Sequence, residues 1–71
     1  LDAEESERLV RLARVLAQAT VVLGSVEKAR RWVVKPNRAL GGEVPLQLLD
    51  TDVGAGAVLE ELGRIEHGVF V

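Results

Sequence analysis

Cysteine is absent from the 71 residues, as are methionine and tyrosine. Without cysteine there are no disulfides and no thiolate metal sites. With a single histidine, His67, a zinc site built on imidazoles has too few ligands. Trp32 and Phe70 are the only aromatic residues, too few for a platform on which nucleic-acid bases would stack. No apolar run approaches the roughly 18 residues that suggest a membrane span. The N-terminal residues are acidic and polar, unlike a signal peptide. We therefore expect a cytoplasmic chain with no membrane partner. A chain that starts at Leu1 and has no methionine reads as a processed chain, a fragment or an excised domain.

What is present favours an ordered globule. Hydrophobic residues make up 48% and charged residues 28%, with a mean hydropathy of +0.18. That lies far from the composition of disordered chains. Leucine, valine and alanine must supply the core. A domain this small buries only about 60% of the surface its unfolded chain exposes. Ordering costs roughly 1.5 kcal/mol per residue, so the stability margin is narrow. With disulfides and metals closed off, a partner chain is the remaining support. The net charge of −2 and pI of about 5.3 argue against a domain built to bind nucleic acid.

The charges are segregated. Asp2, Glu4, Glu5 and Glu7 open the chain, five basic residues and no acid lie between Lys28 and Arg38, and six acids with one arginine lie between Glu43 and Glu66.

The spacing predicts an all-α fold: one domain over residues 1–71, a small bundle of about four helices with an extended C-terminal tail. Two helices are longer, one medium and one short. The first runs from Asp2 to Leu23, with acids in its first turn. Its main apolar stripe is Leu9, Leu12, Ala13, Leu16 and Leu23, widened by Val15, Ala19 and Val22. So wide a face fits either a second chain or a long central core helix. Gly24 ends it and Ser25 caps a second helix from Val26 to about Val34, with Val26, Ala29, Val33 and Trp32 inward. Pro36 stops that helix. Pro36-Asn37 and Gly41-Gly42 mark turns. Pro45 starts a short helix through Leu49. Thr51 caps the last, which runs to about His67 with Val58, Leu62 and Ile65 as its stripe and Gly68 as C-cap. Gly56 and Gly63 lie seven apart inside it. Gly54 adds a third near its start. Each costs about 1 kcal/mol against alanine, which signals either close approach of another backbone or neutral drift.

No constellation of residues supports catalysis. Ser25 and Thr51 read as caps, and Gly41-Gly42 is a turn without the strand and helix of a phosphate loop. Glu60 and Glu61 diverge by about 100° on a helix and do not converge on a metal with Glu66. No cofactor is expected. Lys28, Arg31 and Lys35, with Arg30 and Arg38 nearby, share a basic face. It reads either as a solvated face or as an electrostatic docking surface for an acidic partner. Direct nucleic-acid binding is the weaker alternative. The apolar tail Val69-Phe70-Val71 either folds back on the core or enters a partner's pocket.

The ordered set Trp32…Lys35-Pro36-Asn37…Leu40-Gly41-Gly42…Pro45-Leu46…Leu48-Leu49…Thr51…Gly54…Val58…Leu62…Arg64-Ile65…His67-Gly68-Val69-Phe70 resembles the C-terminal toxin-binding domain of Xre/MbcA/ParS antitoxins. The resemblance spans about residues 22–71. It departs at Val44, where the family often has a serine or threonine. The N-terminal Xre-like DNA-binding domain of such proteins is absent from this chain, so operon autorepression is not assigned to it. The resemblance implies that this chain is non-enzymatic and binds a partner, a cognate RES-domain toxin that is similar to ADP-ribosyltransferases and consumes NAD. It implies that Arg64, His67, Gly68, Val69, Phe70 and Val71 face that toxin and cover its NAD pocket. Trp32, Pro36, Asn37, Gly41, Gly42 and Pro45 then form the scaffold of the motif. A homodimer is the further expectation.

Overall fold

The computed structural model describes residues 2–68. It holds three α-helices: α1 (Ala3–Leu23), α2 (Val26–Val33) and α3 (Asp52–Gly68). A 3₁₀ turn (Arg38–Leu40) and a 3₁₀ helix (Pro45–Asp50) connect α2 to α3. No strand occurs among the described residues, only an isolated antiparallel bridge between Asn37 and Glu43. The all-α expectation holds. The short helix is of the tighter 3₁₀ type, and the Arg38–Leu40 turn was not anticipated.

The caps set the element boundaries. Asp2 accepts the Glu5 backbone N–H at 2.8 Å, Ser25 accepts that of Lys28 at 3.1 Å, and Thr51 accepts that of Gly54 at 2.9 Å. Each satisfies a donor that has no partner within its helix. Gly24 closes α1 in the left-handed region (φ 95°) and donates its N–H to Thr20 O. Gly68 does not act as a left-handed C-cap; it is the last residue of α3, and the positive-φ glycines among the described residues are Gly24, Gly41 and Gly42.

Asn37 organises the connection. Its N–H donates to Glu43 O at 2.9 Å, its carbonyl accepts from Leu40 and Gly42, and its side chain accepts from Ala39 at 3.0 Å. Gly41 and Gly42, with φ of 70° and 84°, let the chain reverse. Val44 supplies no side-chain cap to the 3₁₀ helix, so Pro45, whose fixed φ suits a helix start, carries that role alone.

A single core joins all three helices: Val15, Ala19, Ala29, Val33, Leu49, Ala55, Val58 and Leu62. In α1 the expected order of stripes is reversed. Val15 and Ala19 are fully buried, Leu12, Leu16, Val22 and Leu23 pack around them, and Leu9 and Ala13 are exposed. The helix turns between α2 on one side and α3 on the other, so two small residues rather than the leucines face the point of closest packing. On α2, Ala29 and Val33 are buried while Val26, in the first turn, stays exposed.

The glycine expectation holds at Gly54 and is corrected at Gly56 and Gly63. A Cβ on Gly56 or Gly63 would meet nothing within 4 Å; close approach of another backbone occurs at Gly54, where a Cβ would collide with the Leu48 carbonyl. Here the start of α3 crosses the end of the 3₁₀ helix.

Arg11 fastens that crossing. Its side chain is only 14% exposed; Nε donates to Asp52 at 2.8 Å, and Nη1 donates to the carbonyls of Leu49 and Asp50 at 3.2 and 3.3 Å. Arg8 pairs with Asp50 at 3.1 Å. The guanidinium thereby satisfies carbonyls at the end of the 3₁₀ helix. Arg11 lies beside Asp52, and farther along Leu59 shares a surface depression with Arg14, Ala17, Gln18 and Val21. These two points make α1 and α3 run side by side in the same direction. Among the described residues no single helix is long and apolar enough to cross a membrane; α1 and α2 have that length and composition only together, as a pair bent by 120°.

Candidate partner-binding site

Two surfaces carry the candidate residues. The first is the last two turns of α3. Arg64 and His67 are exposed, and Gly68 ends the helix with open space around it. Arg64 Nε donates to Glu61 Oε1 at 2.9 Å, and Nη1 lies 3.6 Å from Glu60 Oε1. His67 Nε2 lies 3.6 Å from Glu66 Oε1. Val69, Phe70 and Val71 lie outside the described residues.

The second surface is basic. Lys28 and Arg31 project from α2, and Lys35 follows just after it; all three are exposed. Among the described residues none of the three forms an ion pair, whereas Arg8, Arg11 and Arg64 are each held by carboxylates of the chain itself. Arg30 and Arg31 lie in the last turn of α2, where positive charge suits the helix dipole.

The scaffold residues lie on α2 and in the connection to α3, with Trp32 and Pro36 next in sequence to Arg31 and Lys35 of the basic surface. Trp32 packs partly buried against the core and Pro45 is buried. Asn37, Gly41 and Gly42 build the connecting loop, next to Pro36, which is exposed.

Nothing among the described residues assembles a reaction centre. No group of three His, Asp or Glu side chains converges to hold a metal. The depression at the start of α1 is lined by Glu4, Glu5, Glu7, Arg8, Arg11 and Asp50, without a nucleophile or a histidine. Four of its charges pair with one another, Glu7 with Arg11 at 3.5 Å and Asp50 with Arg8 at 3.1 Å.

Sequence reasoning missed two residues of structural weight. Arg11 reaches a partner 41 positions away, which no local pattern announces. Glu61 did leave a signal. It stands three after Val58 and four before Ile65, so an acid occupies a position on the apolar stripe.

Comparison with known proteins adds the identity of the partner class. Residues 18–68 match the family model described as the antitoxin Xre/MbcA/ParS C-terminal toxin-binding domain. An Antitoxin Xre from Photorhabdus laumondii is 43% identical over 68 residues, covering 94% of this chain and 46% of the relative. An Antitoxin Xre from Pseudomonas putida is 41% identical over 68 residues, covering 96% and 43%. A protein named Prs ADP-ribosylating antitoxin from Sphingobium sp. is 34% identical over 79 residues, covering 99% and 50%. The chain thus spans about half the length of the curated relatives it matches. The family model and the relatives match over most of its length, and the chain belongs to the Xre/MbcA/ParS antitoxin family as a C-terminal toxin-binding domain.

Proposed function

We propose that this domain neutralises a RES-type, NAD-consuming toxin by laying its C-terminal segment over the entrance to the toxin's active site. The family match carries the reading, because a toxin-binding domain implies a cognate toxin. The name of the Sphingobium relative, an ADP-ribosylating antitoxin, supports a toxin that uses the ADP-ribose of NAD. Arg64 and His67 on the last turns of α3, Gly68 and the apolar Val69-Phe70-Val71 are the residues assigned to the contact. An aromatic anchor in a pocket is a frequent hot spot. The mechanism is steric, the complex forms in the cytoplasm, and this chain performs no reaction. The test is titration of the chain into its cognate toxin. NAD consumption should fall to background at one equivalent; full activity at excess chain overturns the reading.

In this reading Lys28, Arg31 and Lys35 steer the domain toward an acidic patch on the toxin. Reversing all three charges should slow association by about tenfold at low salt, with the difference shrinking as salt rises. An unchanged association rate measured by surface plasmon resonance would make them a solvated face.

A second reading, self-association, is favoured by one observation. Val10, Ala17 and Val21 form an exposed row on α1, with Val53 exposed at the start of α3. Light scattering of the chain alone should give the mass of a dimer at tens of micromolar; a monomer removes this reading and leaves the toxin contact untouched.

A further inference from the structure

Glu61 is the only charged residue buried among the described residues, at 9% exposure. Its neighbours along the same stripe of α3 are Val58, Leu62 and Ile65. A carboxylate in such a place loses water and must be compensated. Its compensation is a single side chain: Arg64 Nε donates to Glu61 Oε1 at 2.9 Å. The two partners are unequal. The Glu61 side chain is 12% exposed and that of Arg64 is 60% exposed. The guanidinium therefore rests on a buried anchor while most of its surface faces outward. Glu60 flanks it from a second side at 3.6 Å.

Stability gives no reason for this acid. An apolar side chain of similar volume would join Val58 and Leu62 without the desolvation cost, a replacement that is often neutral or stabilising in buried ion pairs. What the carboxylate does supply is orientation. Arginine has many rotamers, and a fork already fixed on one edge loses less freedom when it meets a partner.

We infer that Glu61 is a positioning residue, whose buried carboxylate holds the Arg64 guanidinium in the orientation in which it meets the toxin. This rests on the proposed reading in which Arg64 faces the toxin. The experiment is a double-mutant cycle on the 71-residue chain, with binding to the cognate toxin and thermal unfolding both measured. Glu61→Met should keep or raise the melting temperature and yet weaken toxin binding about tenfold. Arg64→Ala should weaken binding by at least as much. The Glu61→Met/Arg64→Ala pair should bind no more weakly than Arg64→Ala alone, because Glu61 acts through Arg64. Glu61→Gln, which keeps the shape and removes the charge, serves as the same test if the methionine variant does not fold. Wild-type binding by the Glu61 variants, or losses that add in full, would overturn the inference and leave the toxin reading standing. Wild-type binding by Arg64→Ala would overturn both the contact assigned to Arg64 and the inference.

Discussion

Replacing Gly54 with alanine is expected to destabilise the domain by about 3 kcal/mol, an overpacking cost at the upper end of the usual range. In a chain of this length that lowers the melting temperature by roughly 12–24 °C. The reason is local and geometric. A Cβ at Gly54 would stand 2.9 Å from the Leu48 carbonyl carbon and closer still to its oxygen. The obstacle is backbone, and it has no room to withdraw. Leu49 is fully buried, and Arg11 grips the carbonyls of Leu49 and Asp50. Moving Leu48 away would loosen that grip and the Thr51 cap on Gly54 together. Gly56, two residues on, is the control. It has open space for a Cβ and lies inside α3, so Gly56→Ala should stabilise by about 0.4–1 kcal/mol. Thermal unfolding followed by circular dichroism separates the two. Equal effects of the two alanines would refute the packing argument.

The contrast between these glycines shows what the sequence could reveal. Helix ends were legible because their chemistry is local: Ser25, Thr51 and Gly24 act within three or four residues of where they stand. The core of α3 was legible because Val58, Leu62 and Ile65 repeat at the helical period. The rotation of α1 was not, because its apolar residues cover more than one face and only its neighbours decide which face is inside. Which of the three glycines meets another backbone was hidden for a related reason. A mid-helix glycine looks alike whether its missing Cβ makes room for a carbonyl, as at Gly54, or for nothing, as at Gly56 and Gly63. The basic face was visible as a run of charge. The link between Arg64 and Glu61 needed the burial of Glu61, which spacing hints at and packing establishes.

Removing Val69-Phe70-Val71, or changing Phe70→Ala, is expected to weaken toxin inhibition by about 30-fold or more, the loss of a hot spot of about 2 kcal/mol or greater. The helices should remain. In the toxin-contact reading the tail adds nothing to the core, so the melting temperature should change little. Loss of binding with an intact fold distinguishes a contact from a structural element. The alternative, in which Phe70 covers the domain's own core, makes the opposite forecast: Phe70→Ala would lower the melting temperature and leave binding to the remaining surface largely in place. Undiminished inhibition by the truncated chain would exclude the tail as the blocking element.

The most direct measurement is hydrogen exchange along the toxin, free and in complex. Amides lining the mouth of its NAD cavity should become protected when the intact domain binds and should exchange freely when residues 69–71 are missing. If the intact domain abolishes NAD consumption while those amides exchange as they do in the free toxin, the domain acts from another surface and the steric account is wrong.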